Sequence, residues 1–289
     1  MEGLVHGNWR FLSGLFASQP RIFLVLTLLI GWTTVAVSSS NYSPYQYDHT
    51  TPCFTPDGRL LQVEYAAKAV DDFAAPLVIV PLNETVRAIV ALSPQKSLLE
   101  RLVVLSSAEK SLIVAISGVL PDGMALLQDV QDYFRQQQRL GISASARSCA
   151  MYAAGLCHQH AMGGGIRPYG ARLTIIEDDT AWVTDPSGTL QAVSLPTGGT
   201  SGGNHPPALV LTGDGGNLSR NLAKIAAQGL GGLPLLQKTI QECLNAMKAA
   251  GNTGEYRLKV VLWSSDGGNM YRLLPGQVDQ LVEESSSLR

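Results

Sequence analysis

Charge is scarce in this chain. Only 15% of its 289 residues are charged, where about 25% is usual. Acidic and basic residues nearly cancel, for a net charge of −2, so there is no basic footprint and nucleic acid is not indicated as a partner. Cysteine is sparse as well. Cys53, Cys149, Cys157 and Cys243 are widely spaced and form no CxxC pair, which favours reduced, buried thiols over a disulfide framework. No internal repeat occurs. A surface so poor in charge suits a subunit buried among neighbours or a monomer rich in Gly, Ala and Ser, and composition alone does not choose between them.

What is present first is a leader. Arg10 and Arg21 precede an uncharged apolar run of 16 residues, 22–37, followed by Ser38-Ser39-Ser40. That is the layout of a secretory signal peptide, and the run is short for a membrane span, which needs about 20 apolar residues. Residues 1–40 therefore read as a signal-like or anchor-like segment, or as the product of a misplaced translation start. Through cleavage or a later start, the mature chain is expected to lack residues 1 to about 38. The remainder, 41–289, reads as one domain.

Within it, apolar β-rich runs at 76–80, 86–92, 102–105 and 111–117 give four strands in succession. Met124, Leu127, Val130 and Phe134 repeat at helical spacing behind Pro121-Asp122. A second helix, 145–162, is stopped by Gly163-Gly164-Gly165. Strands at 172–177, 181–184 and 189–193 follow, joined by Asp178-Asp179 and Asp185-Pro186-Ser187-Gly188. After a Gly/Ser/Pro loop, 195–207, come helices at 218–228 and 233–250, strands at 256–263 and 270–273, and a last helix from Pro275. Clustered hairpins with paired helices fit two packed antiparallel sheets covered by helices.

The segment before the first strand is the most specific. In TPDGRLLQVEYAAKAV, 55–70, a Pro-Asp-Gly turn leads into a short helix whose only charges are Arg59, Glu64 and Lys68. Extended back to Tyr47, the stretch YDHTTPCFTPDGRLLQVEYAAKAV resembles the N-terminal signature of proteasome α-type subunits. Ser117-Gly118, Arg167-Pro168-Tyr169-Gly170 and Thr184-Asp185-Pro186-Ser187-Gly188 follow in the family's order. The resemblance implies an α+β fold, a four-layer αββα sandwich of the Ntn-hydrolase type, set in a seven-membered ring with other α subunits and stacked on β subunits. It implies no cofactor and no metal. It also implies regulatory or activator particles as partners, cytoplasm and nucleus as location, and a membrane only if 22–37 is retained.

On this resemblance residues 41–58 are a gate tail, and the first helix, 59–70, lies on the ring's outer face. Tyr47, Asp48, Pro56 and Tyr65 match the residues that organise the turn beside the gate. An aspartate and two phenols can bond across subunits, and proline stiffens the turn they hold. His49 stands where arginine is usual. Residues 71–80 replace the family's RGxTxxGxK, and the pocket lysine that receives an activator's C-terminal carboxylate falls, without a gap, on Val80.

Competing chemistry is weak. A catalytic β-type subunit needs a threonine at a new N-terminus, whereas the first strand starts Ala74-Ala75-Pro76. Gly199-Thr200-Ser201-Gly202-Gly203 spells G-x-S-x-G, but sits in a glycine-rich loop and not between a strand and a helix. Cys149, Cys157 and His160 share a helix face that reads as core, with no second ligand pair for a metal. Sequons at Asn41, Asn83 and Asn217 matter only on the secretory route. The expectation is a non-catalytic structural and gating subunit. The alternatives are a repurposed homologue in a membrane-bound compartment and, distantly, a secreted hydrolase using Ser201.

Overall fold

The computed structural model describes residues 48, 53–94, 100–107, 110–196, 208–212, 217–226, 232–249, 256–264 and 270–287. Residues 1–47, with the leader and Tyr47, lie outside that set, as do His49 and Ser201.

Helix α1, Leu61–Asp72, precedes strands β1 (Leu77–Pro81), β2 (Val86–Pro94), β3 (Leu102–Ser106) and β4 (Ser111–Gly118). Helices α2 (Leu120–Arg139) and α3 (Ala146–Gln159) follow, then β5 (Ala171–Glu177), β6 (Thr180–Thr184), β7 (Leu190–Ser194) and β8 (Leu209–Thr212). Helices α4 (Leu218–Ala226) and α5 (Gly232–Ala249), strands β9 (Tyr256–Ser264) and β10 (Met270–Arg272), and α6 (Pro275–Ser287) complete the order.

The strands make two five-stranded sheets, β10-β9-β2-β1-β8 and β3-β4-β5-β6-β7, with every pairing antiparallel. Three apolar clusters separate four layers. Leu126, Leu127, Val130 and Phe134 of α2 and Cys149, Ala153 and Cys157 of α3 pack on Leu112, Val114, Leu173 and Ile175 of the second sheet. Leu222, Leu236, Ile240 and Cys243 cover Val78, Val80, Val90 and Val260 of the first. Between the sheets lie Leu77, Ile79, Ile89, Ile113, Ile176, Val261 and Trp263. The fold is thus the αββα sandwich expected from the sequence.

This double coverage explains the strand sequences. In β1 every residue is buried, because odd positions face one layer and even positions the other; each large side chain so buried stabilises the fold by roughly 1.5–3 kcal/mol. Helix α2 opens with Pro121 in its first turn, where a missing N–H costs nothing. Ser145 caps α3 by accepting the Ser148 amide at 3.1 Å. The helix expected to run to Met162 widens after Gln159 into a looser turn, His160–Gly164, in which Gly163 has φ 84°.

Candidate functional site: the seat and outer face of the first helix

The turn before α1 closes on itself. The Gly58 amide donates to the Thr55 carbonyl at 2.8 Å, and the Thr55 amide to the Arg59 carbonyl at 2.9 Å. Pro56, exposed at the turn's second position, fixes φ there, and Gly58 takes φ 77°, a value that favours glycine. No side chain caps the start of α1. Arg59 instead pairs with Glu64, Nε to Oε1 at 3.1 Å, which places a carboxylate in the first turn where the helix dipole favours it. The bond from Arg59 holds the Glu64 carboxyl below its usual range.

Asp48 reaches this helix. Gln62 donates its Nε2 to the Asp48 carbonyl and stands 3.5 Å from its Oδ1. The Tyr65 phenol is pushed up from its ordinary value, first by desolvation and then by the adjacent Asp48 carboxylate. The structure therefore gathers Asp48 and Tyr65, adds Gln62, and leaves Pro56 on the preceding turn. Gln62 precedes Tyr65 by one helical turn, a spacing that could have marked it.

The inner face of α1 carries Leu61, Ala66 and Val70, all buried, and packs across β4 and β5. Gly118 makes that approach possible, with Gly170 in ordinary contact beside it. A Cβ on Gly118, whose φ is 90°, would meet the Gly170 carbonyl oxygen at 2.5 Å and Val70 Cα at 3.0 Å; one on Gly170 would meet Ala69 Cβ at 3.5 Å. The far end of α1 has no basic residue in its last turn and ends on Asp71 and Asp72, the wrong sign for a helix C-terminus. Arg101, just before β3 and only 9% exposed, supplies the missing cation. Its Nη2 donates to the Phe73 carbonyl at 3.2 Å and its Nη1 to the Gly118 carbonyl at 3.1 Å. Burial pulls its guanidinium down from the ordinary value, though an arginine keeps its charge.

The Arg-Pro-Tyr-Gly segment locks the seat from the other side. Arg167 grips Asp122 with two bonds, at 2.5 and 2.8 Å, and the Gly170 amide donates to the same carboxylate at 2.8 Å. Nearby, Arg172 pairs with Asp185 at 3.0 Å, and Gly188, at φ 89°, lies against Ala154 and His158 of α3. Burial raises the Asp122 carboxyl, but the bonds from Arg167 and Gly170 outweigh it and hold the group below its usual value. A carboxyl lowered on folding gives stability that is full above the unfolded value, about 3.9, and is lost as pH falls through the folded value. Asp122→Asn is expected to cost about 1.5 kcal/mol at neutral pH, the low end for a charge-assisted bond because Arg167 is half exposed. Denaturant titrations should show that difference shrinking below about pH 4.

Val80 lies in the core. Its side chain is fully buried and packs with Val78, Val90, Leu236 and Ile240 between the first sheet and α5. Cys149 and Cys157 lie in the core under α3, where burial pushes their thiols up to about 11 and about 12. His160 makes other contacts: its Nδ1 lies 3.2 Å from the Arg167 carbonyl oxygen and its ring contacts that of Tyr169.

Residues 47–69 match the family model for the N-terminal signature of A-type (α) proteasome subunits. The chain is 26% identical to the alpha type-7-A proteasome subunit of Arabidopsis thaliana over 251 residues, 83% of this chain and 92% of that protein. It is 33% identical to the proteasome alpha subunit of Pyrococcus horikoshii over 53% of this chain and 62% of that one. The proteasome alpha 2 subunit of Haloferax volcanii is 31% identical over 50% and 61%.

Proposed function

We propose that this chain, a divergent relative of the proteasome α-type subunits, acts as a non-catalytic structural and gating subunit of a proteasome core particle. The observation that carries this reading is the signature segment itself. Its α1 is seated on Gly118 and Arg101, while Phe54, Tyr65 and Phe73 remain 60%, 48% and 61% exposed. Three large aromatics held on a fixed support in a charge-poor chain are what an assembly face requires.

Catalysis of the β type finds no support in the residues present. Strand β1 is preceded by Ala74-Ala75-Pro76, and the Ala74 amide bonds the Asp71 carbonyl at 3.3 Å, so α1 runs directly into the strand. In this reading Asp48, with Tyr47 and Pro56, positions the gate tail, and Tyr65 fixes it to α1. A seven-membered ring, stacked β subunits, docking of regulators and a part in ubiquitin-dependent protein breakdown in cytoplasm and nucleus complete the proposal.

Co-purification tests it. A C-terminally tagged chain is expected to bring down other α and β subunits in one particle, resolved by native mass spectrometry. Recovery in a membrane fraction without them would favour the homologue routed by residues 22–37. A monomer that cleaves peptides and loses turnover with Ser201→Ala would overturn the proposal.

A further inference from the structure

Strands β3 and β10 each end their sheet, and a groove of 510 Å³ opens between them, lined by Glu100, Val104, Ser106, Lys259, Met270 and Arg272 among others. The backbone of β3 has a definite outward side. The Ile116 amide donates to the Arg101 carbonyl at 2.7 Å, so in the antiparallel ladder with β4 residues 101, 103 and 105 point inward and 102, 104 and 106 point outward. Lys259 agrees with this, donating its Nζ to the Leu102 carbonyl at 2.6 Å from the opposite sheet. Val104 comes next on that side, and its side chain is 39% exposed. No strand pairs with this edge among the described residues.

The charges in the groove are unequal. Glu100 is shared by two cations, Lys259 at 2.5 Å and Arg272 at 2.9 Å, which leaves one positive charge in excess among the described residues that line the groove. Arg272 is 58% exposed and gives this carboxylate one of its five N–H donors,. Burial pulls the Lys259 ammonium below its usual value, a cost that a second anion would relieve.

We propose that this groove receives an extended, acidic segment of a neighbouring subunit, which adds as a strand to the outer edge of β3. The incoming backbone pairs with the outward N–H and C=O of Val104, an apolar side chain lies over Val104 and Met270, and a carboxylate takes the spare donors of Arg272. Backbone pairing with side-chain pockets at alternate positions is the general mode of strand addition, and an open edge is its usual template. The inference rests on the assembly reading above, since it needs a neighbour.

Val104→Pro removes an outward amide while keeping an apolar side chain, and proline is tolerated where the N–H of an edge strand faces solvent. Together with Arg272→Glu it separates docking from folding. Each tagged variant is expected to enter the particle at least tenfold less than wild type, with an unchanged unfolding midpoint as a free chain. Val104→Ile, which keeps both the amide and the apolar side chain, should enter normally. A benzophenone amino acid at position 104 in the assembled particle should cross-link to an acidic segment of another subunit. Wild type absent from the particle would overturn both the assembly reading and the groove. Wild type present beside equal amounts of both variants, or cross-links confined to the chain itself, would overturn the groove alone.

Discussion

Gly118→Ala is expected to cost at least about 3 kcal/mol of stability and to unseat α1. Two effects add. At φ 90° a side chain is in a conformation that costs roughly 1–3 kcal/mol on its own. The new methyl would also lie 2.5 Å from the Gly170 oxygen, 3.0 Å from Val70 Cα and 3.2 Å from Ala171 Cα. All three are backbone atoms, so relief requires moving α1 or β5 and not merely turning a side chain. Gly58→Ala separates the effects. Its φ is 77° but nothing lies within 4 Å of the new atom, so only the conformational cost, about 1–2 kcal/mol, remains. Denaturant titration of both variants measures the difference; equal losses would show that strain, and not close packing under α1, accounts for Gly118.

The turn and first helix were legible because a long motif combined turn chemistry with apolar spacing, and most strands because a sandwich covered on both sides needs apolar runs. Other features were not. Strand β8 was passed over, although Leu209-Val210-Leu211 is β-rich, because the Gly/Pro loop before it drew the boundary; it pairs with β1, Ile79 opposite Leu209. Arg101 gave no signal, since its role at the end of α1 comes from a contact 28 positions away in sequence with Phe73. The assignment of Val80 rests on counting alone. Residues 71–80 keep none of the family's polar spacing, so counting through them without a gap carried the family's lysine onto a valine whose side chain packs under α5.

The exposed aromatics on α1 and at its C-cap carry the second large effect. Tyr65→Ser and Phe73→Ser together are expected to exclude the chain from the assembled particle while leaving the free chain folded. Both side chains are largely exposed, and substitutions at such positions usually change stability by about 0.5 kcal/mol or less. At an interface the same aromatics act as anchors whose truncation costs about 2 kcal/mol or more each. They stand eight residues apart, about 12 Å along the helix at 1.5 Å per residue, far enough for their effects to add. The pair then amounts to roughly 4 kcal/mol, on the order of a thousandfold in affinity. Native mass spectrometry of tagged variants reads incorporation, and circular dichroism reads the fold. Tyr65→Phe sharpens the result, because it keeps the ring and removes only the hydroxyl beside Asp48. That variant should assemble nearly as wild type, so that loss of assembly follows the apolar surface while the phenol's role is confined to the tail at Asp48. If the double variant enters the particle at wild-type levels, the outer face of α1 is not the surface through which this chain meets its neighbours.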